Sequence, residues 1–196
     1  MPSRSDDPFG AALDAALTEV VAGVRALTAA RPRVLIDGRS GSGKTTLAAH
    51  LAAAWPHAAP VTVIAMDDFY PGWDGLAEAS RMLAVDILAA HAAGRDGAYH
   101  RWDWERDRPL DPAASGRVAA EGALLVEGCG ALTPKTRGFA DLAIWVDAPE
   151  ESRKRRALER DGEGYAPHWH RWAAQERAHI SRHRPAELAD LVFALP

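Results

Sequence analysis

Residues 38–45 limit the possible fold of this chain more than any other part of its sequence. They read GRSGSGKT, which matches the pattern G-x-x-x-x-G-K-[ST], and they lie between an apolar run, residues 33–37, and an alanine-rich stretch, residues 46–54. In that context a loop between a strand and a helix turns its backbone N–H groups toward phosphate oxygens, and the helix dipole adds to the attraction. The pattern therefore predicts a phosphate-binding loop, and a chance glycine-rich turn is the weaker alternative.

The loop also supplies side chains suited to a nucleotide with its metal ion. The amine of Lys44 is placed to reach the β and γ phosphates, and the hydroxyl of Thr45 is a ligand for Mg²⁺. The residues predicted to bind the nucleotide are Gly38, Ser40, Gly41, Ser42, Gly43, Lys44, Thr45 and Thr46.

Composition narrows the class of protein. A chain of 196 residues with 47% hydrophobic content is long enough for one well-buried domain, and nothing in it marks a second. The formal net charge of −4 argues against a general nucleic-acid binder. With Cys129 as the one cysteine and no long apolar run, we expect a cytoplasmic protein without a membrane or nucleic-acid partner. A homo-oligomer is left open.

Apolar β-branched runs alternate with helical patterns along the chain. Strands are predicted over residues 33–37, 61–66, 123–128, 142–147 and 191–193, and helices over residues 8–29, 46–54, 76–93, 149–160 and 168–182. Residues 99–104 are predicted as a strand end or a loop. The alternation indicates a single α/β domain with a doubly wound, mainly parallel sheet. The helix in residues 1–30 is expected to pack across the sheet edge.

Four acidic residues, Asp37, Asp67, Glu127 and Asp147, end predicted strands. Ligands of such sheets bind beyond the carboxyl ends of the strands, so these carboxylates are candidates for the site. Asp67 is the candidate base or metal ligand, and Glu127 the candidate group for Mg²⁺ or its water shell. Capping of loops and hydrogen bonding to backbone are the alternatives for both.

Several segments beyond the loop resemble the uridine kinase family of P-loop nucleoside kinases. They are Asp67-Asp68-Phe69-Tyr70, Trp102-Asp103-Trp104, Glu127-Gly128 and residues 155–161, in an order and approximate spacing that fit from about Val34 to Asp161. The resemblance implies a three-layer P-loop NTPase fold with a small helical lid at residues 150–175. It also implies ATP and Mg²⁺ as cofactors, and transfer of the γ-phosphoryl group to a hydroxyl of a small nucleoside-like acceptor.

Roles for individual residues follow from that resemblance. The implied catalytic residues are Lys44, Asp67, Arg156 and Arg160, with Asp67 as the base and the arginines on a lid helix. The implied metal ligands are Thr45, Asp67 and Glu127. The implied acceptor-binding residues are Asp67, Tyr70, Trp73, Asp74, Trp102, Trp104 and Asp107. Aromatic residues at these positions can stack on a base or a sugar, and core packing is the alternative for each.

The chain departs from the family at two places. Asp107 stands where the family has a base-recognising histidine, and residues 162–165, GEGY, replace further lid arginines. These departures keep other acceptors open, namely pantothenate, a sugar or a nucleoside monophosphate. A non-catalytic nucleotide-binding switch is the alternative outside enzymes. Histidine pairs such as His179 and His183 lack a third ligand, so no metal site is predicted there.

Overall fold

The computed structural model describes residues 7–196. Its strands are β1 Arg33–Gly38, β2 Val61–Ala65, β3 Gly97–Tyr99, β4 Trp102–Asp103, β5 Arg108–Pro109, β6 Gly116–Val118, β7 Ala123–Glu127, β8 Leu142–Asp147 and β9 Leu191–Ala194. Its α-helices are α1 Pro8–Arg25, α2 Lys44–Ala53, α3 Leu76–Met82, α4 Ala89–Ala92, α5 Pro134–Arg137, α6 Glu150–Tyr165, α7 Trp169–His183 and α8 Pro185–Leu188. A π-helical segment, Leu83–Leu88, joins α3 to α4.

Five strands form one parallel sheet in the order β2-β7-β1-β8-β9. All five coincide with the predicted strands, and the fold class predicted from the sequence is confirmed. The inner strands β1, β7 and β8 are almost wholly buried, which is why they read as continuous apolar runs. Residues 97–118 add two small antiparallel pairs, β3 with β6 and β4 with β5, beside the sheet.

Helices cover both faces of the sheet. Leu35 of β1 faces a core that includes α3, the π segment and α7, whereas Val34 and Ile36 face a core that includes α1 and α2. The opposite directions follow from the two-residue period of a strand. Helix α1 lies on the sheet face beside α2, rather than across the edge as predicted. No helix within residues 7–196 is long and apolar enough to cross a membrane.

Asp37 organises the carboxyl ends of β1 and β7 from inside the protein. Its carboxylate is 1% exposed and accepts hydrogen bonds from the N–H groups of Gly38 (2.7 Å), Gly130 (2.9 Å) and Leu132 (2.8 Å). It also lies 3.0 Å from Nε2 of His179 on α7. Asp37 was a candidate site residue in the sequence, but its carboxylate binds the loop after β7.

We expect Asp37→Asn to destabilise the fold by about 3 kcal/mol, because an amide has one acceptor oxygen and directs its NH₂ toward buried donors. The free energy of unfolding, from urea titrations of both proteins, checks this. Asp14→Asn, on the exposed side of α1, is the matched control and is expected to change little. Equal stability of the Asp37 variant and the native chain would contradict the assignment.

Candidate functional site

A cleft of about 690 Å³ opens beside the phosphate loop at the carboxyl ends of the parallel strands. Loop residues, two strand-end segments and the two long C-terminal helices line it. The lining side chains are Ser40, Lys44, Asp67, Asp68, Tyr70, Trp73, Trp104, Glu105, Cys129, Arg160, Asp161, Tyr165 and Trp172, with Gly164. A smaller recess of about 220 Å³ adjoins it, lined by Phe9, Gly41, Gly43, Lys44, Thr45, Thr46, Arg156, Ala157 and Arg160.

The phosphate loop has a backbone shaped for anion binding. Gly41 (φ +75°) and Gly43 (φ +106°) take left-handed conformations that favour glycine. Among residues 7–196, neither of their N–H groups donates to a protein acceptor, and α2 begins at Lys44 without a side-chain cap. The Gly38 N–H is instead taken by Asp37. Free N–H groups at a helix N-terminus form a site for phosphate oxygens.

Lys44 is buried and surrounded by acidic groups. Burial disfavours its charge, whereas the nearby carboxylates of Glu127 and Asp67 favour it, and the pKa of the amine lies above its ordinary value. Burial raises the pKa of the Cys129 thiol, so the neighbouring thiol stays protonated. The cleft thus holds a cation that remains charged across the working range of pH.

Thr45 and Glu127 place two oxygen donors side by side. The Thr45 hydroxyl donates to Oε2 of Glu127 at 3.1 Å. Burial raises the pKa of Glu127, although Lys44 acts in the opposite direction. A buried carboxylate next to a hydroxyl at a phosphate loop suits a hard divalent cation. These two oxygen donors fit Mg²⁺. Within residues 7–196 the structure has no group of three histidine, cysteine or acidic side chains that could hold a metal ion.

Asp67 lies on a single 3₁₀ turn, Met66–Asp68, directly after β2. Its side chain lines the cleft, and its backbone carbonyl accepts a hydrogen bond from Nε1 of Trp104 at 2.8 Å. The neighbouring Asp68 is paired with Arg101 at 3.3 Å on the exposed rim. The Asp67 carboxylate thus faces the cleft with no ion pair to another described residue, in a location that can receive a proton from a bound hydroxyl.

Four aromatic side chains, Trp73, Trp104, Tyr165 and Trp172, line the cleft, and we call them the aromatic wall. Trp73 contacts the other three, with ring centroids 4.8 Å from Trp104, 5.5 Å from Tyr165 and 6.4 Å from Trp172. Its ring also stacks on His168 at 4.2 Å with an angle of 8° between planes. The wall is formed by residues from four separate segments of the chain, namely two loops, α6 and α7.

Tyr70 has a structural part in the site. Its ring is buried, and its hydroxyl donates to the Cys129 carbonyl at 2.8 Å. Burial raises the pKa of this phenol well above its ordinary value. The hydroxyl is thus occupied in fixing the segment after β7, while the ring forms part of the cleft lining.

Three predicted acceptor residues, Asp74, Trp102 and Asp107, do not line the cleft. Asp74 forms a two-pronged ion pair with Arg171 on α7, and the hydrogen bond with Arg171 lowers the pKa of Asp74. Trp102 belongs to β4, in the β4–β5 pair, and packs near Gly72. The Asp107 carboxylate also lies near Gly72. The structure places these residues around the cleft without bringing them into it.

The two predicted lid arginines have different surroundings. Arg160 lines both the cleft and the smaller recess, and its guanidinium forms two 2.7 Å hydrogen bonds with Asp161, which raise its pKa. Arg156 also lines the recess, but it donates to the Gly41 carbonyl at 2.8 Å and to the Pro196 carbonyl at 2.7 Å. In this conformation Arg160 lines the main cleft. Arg156 lines only the recess, and it binds the Gly41 carbonyl of the phosphate loop.

Helix α6 is interrupted next to Arg160. Gly162 has φ +62° and ψ −146°, a combination that essentially only glycine adopts, and a side chain there would meet nothing within 4 Å. The break lies two residues after Arg160 in the predicted lid region, so it can serve as a hinge for the segment that carries this arginine.

Two buried charges at the site escaped sequence analysis. Glu176 on α7 accepts a hydrogen bond from the Ser40 N–H at 2.6 Å, and Arg153 on α6 donates to the Ser40 carbonyl at 3.2 Å. One signal was available for Glu176. It falls at the spacing of the buried face of α7, together with Trp169, Trp172 and Ala173, where a charge needs a partner.

Comparisons with solved structures agree with this architecture. A structure described as a "Possible Uridine Kinase" from Bacillus stearothermophilus matches with a TM-score of 0.66 at 21% identity, covering 94% of this chain and 98% of that one. A "putative fructose transport system kinase" from Silicibacter sp. TM1040 matches with a TM-score of 0.63 at 23% identity, covering 92% and 98%. D-glycerate 3-kinase from Cryptococcus neoformans matches at 0.51 and 9% identity, covering 88% of each chain.

No protein-family model and no curated protein sequence matches this chain. The structural matches nevertheless span nearly its whole length. The chain therefore shares the α/β fold of these solved structures, as the resemblance in its sequence implied.

Proposed function

We propose that this protein is an ATP-dependent kinase that transfers the γ-phosphoryl group to a hydroxyl of a small nucleoside-like acceptor. The observation that carries the proposal is the shared cleft, in which the phosphate-loop Lys44 and the strand-end Asp67 face an aromatic wall. Phosphoryl transfer depends mostly on positioning and on compensation of charge, and these residues supply both. The fold likeness to structures described as kinases is consistent with it.

Each group has one task in the proposed reaction. Lys44 and the free loop N–H groups hold the β and γ phosphates, and Arg160 compensates charge on the transferred group after leaving Asp161. Thr45 and Glu127 would hold Mg²⁺, which would supply positive charge beside the phosphate oxygens. The carboxylate of Asp67 accepts the proton of the attacking hydroxyl.

A nucleoside-like acceptor is favoured by the aromatic wall, because flat rings offer stacking surfaces to a base. The ion pair between Asp74 and Arg171 argues against part of this proposal, because the sequence resemblance implied that Asp74 binds the acceptor. Acceptors without a base, such as a sugar or pantothenate, therefore remain the competing class for the same catalytic centre.

The test is ADP release from Mg²⁺-ATP with uridine, cytidine, other nucleosides, nucleoside monophosphates, sugars and pantothenate, against a blank without acceptor. Stimulation by uridine or cytidine supports the whole proposal. Stimulation by a sugar or pantothenate alone keeps the kinase and rejects the nucleoside-like acceptor. Tight nucleotide binding without stimulation by any acceptor contradicts a kinase and favours a nucleotide-binding switch.

Trp104 offers a test of the aromatic wall. We expect Trp104→Ala to raise the KM for the acceptor by about 10-fold or more, since stacking on an aromatic ring contributes about 1–3 kcal/mol. It should also lower kcat, because Trp104 Nε1 supports the Asp67 carbonyl. Trp104→Phe is the matched variant, which retains the ring and loses the N–H, and should recover KM but not kcat. Steady-state kinetics of the three proteins would show this, and an unchanged acceptor KM in Trp104→Ala would contradict it.

A further inference from the structure

Ser40 and Gly41 of the phosphate loop are bound by side chains of the two long C-terminal helices, α6 and α7. The Ser40 N–H donates to Oε1 of Glu176 on α7 at 2.6 Å, and the Ser40 carbonyl accepts from Nη1 of Arg153 on α6 at 3.2 Å. The next carbonyl, of Gly41, accepts from Nε of Arg156 at 2.8 Å. Three backbone groups of Ser40 and Gly41 are thus bound by charged side chains, and such bonds contribute about 1.5–3 kcal/mol each.

The charges that form this contact are buried and mutually compensated. Glu176 is 2% exposed and Arg153 is not exposed at all. The Glu176 carboxylate lies 3.3 Å from Nε of Arg39 and 3.9 Å from Nη1 of Arg153, and the Cys129 thiol donates to it at 3.5 Å. Neither Glu176 nor Arg153 lines the main cleft, so the proposed chemistry does not use them.

Holding the Ser40 peptide determines how the loop presents its donors. In a trans peptide the carbonyl and the following N–H point in opposite directions. Anchoring the Ser40 carbonyl on Arg153 therefore turns the Gly41 N–H away from that guanidinium, and this N–H has no protein acceptor within residues 7–196. The α6 backbone also lies close against Gly41, because a side-chain carbon at Gly41 would be 2.1 Å from the Arg153 carbonyl oxygen.

The helices that hold the loop also carry the acceptor side of the cleft. Helix α6 carries Arg160 and Tyr165, and α7 carries Trp172, one turn before Glu176. Gln175, beside Glu176, binds the Trp73 carbonyl through its side-chain amide. A shift of α7 would therefore move the aromatic wall and the Ser40 peptide together.

We propose that Glu176 is a positioning residue that holds the phosphate loop in its nucleotide-binding shape and links it to the aromatic wall through α7. The assignment of the wall to an acceptor rests on the proposed function, whereas the effect of Glu176 on nucleotide binding does not. Nucleotide binding at the loop then orders α7, and loss of the Glu176 contact uncouples the two.

The experiment measures two properties that need no acceptor. One is the Kd of a non-hydrolysable ATP analogue by calorimetry, and the other is hydrogen exchange of residues 169–183 with and without that analogue. For Glu176→Gln we expect the Kd to rise about 10-fold or more, given the strength of a hydrogen bond to a charged group. The native chain should gain protection in α7 on binding the analogue, and the variant should not.

Three further variants separate positioning from general loss of stability. Glu176→Asp keeps the buried charge but is one methylene shorter, so it should remain folded and still lose nucleotide affinity. Leu83→Ala removes core packing at a residue that lines neither the cleft nor the recess, and Glu187→Gln makes the same chemical change on the exposed α8. Both controls should bind the analogue with native affinity, even where Leu83→Ala lowers the melting temperature.

The outcomes distinguish this proposal from the proposed function. Native nucleotide affinity in folded Glu176→Gln and Glu176→Asp, or no gain of α7 protection in the native chain, overturns the role of Glu176 and leaves the kinase assignment standing. Nucleotide binding without acceptor-stimulated ADP release overturns the kinase, while the change in Kd and the α7 protection still decide the role of Glu176.

Discussion

Lys44→Ala is expected to lower acceptor-dependent ADP release about 10³-fold, the size of effect seen when a preorganised donor to a developing negative charge is lost. The reason lies in the surroundings of this amine. It is buried, yet its pKa lies above the ordinary value, because the nearby carboxylates of Glu127 and Asp67 favour its charged form. Without it, the phosphates lose their buried cation and Glu127 loses the charge that opposes the rise of its own pKa.

The measurement for Lys44 is the initial rate of ADP release at saturating acceptor, with the Kd of the ATP analogue measured in parallel. Lys44→Arg is the matched variant, since it keeps the charge but changes its shape and reach. We expect partial activity at most from Lys44→Arg, and nucleotide affinity nearer to that of the native chain. Native rates in Lys44→Ala would show that the cleft is not the site of phosphoryl transfer.

Asp67→Asn is expected to lower kcat by about 10²-fold to 10⁴-fold, the usual contribution of a general base. The substitution keeps the size of the side chain and removes its capacity to take a proton. Because Asp67 lies on the turn after β2 and not in the phosphate loop, the Kd of the ATP analogue should stay within about threefold of the native value. A loss of kcat with retained nucleotide binding is the result that distinguishes a kinase from a nucleotide-binding switch.

Two measurements test the Asp67 prediction: kcat at saturating substrates and calorimetric titration with the analogue. Asp68→Asn is the control on the same turn, because Asp68 pairs with Arg101 on the exposed rim. It should retain most of the native kcat. Equal losses in the two variants would show that the turn itself, and not the carboxylate of Asp67, supports the reaction.

Local sequence was sufficient for the framework of the site. The inner strands β1, β7 and β8 are buried on both faces, so their consecutive residues form continuous apolar runs, and shorter apolar runs mark the edge strands β2 and β9. The loop motif needs only glycines, a lysine and a threonine at stated spacings, and Asp67 and Glu127 follow strand ends directly. Each of these features depends on a few neighbouring residues, so each was predictable without tertiary structure.

The side-chain pairings around the site were decided by tertiary packing. Arg171 reaches Asp74 across 97 residues of sequence and Glu176 reaches Ser40 across 136, so no local pattern records either contact. Both depend on how α7 is rotated and placed on the sheet, which is set by the whole core. The sequence by itself thus determined the fold, the phosphate loop and the strand-end carboxylates, whereas only the packing of α6 and α7 decided which charges face the cleft and which hold the loop.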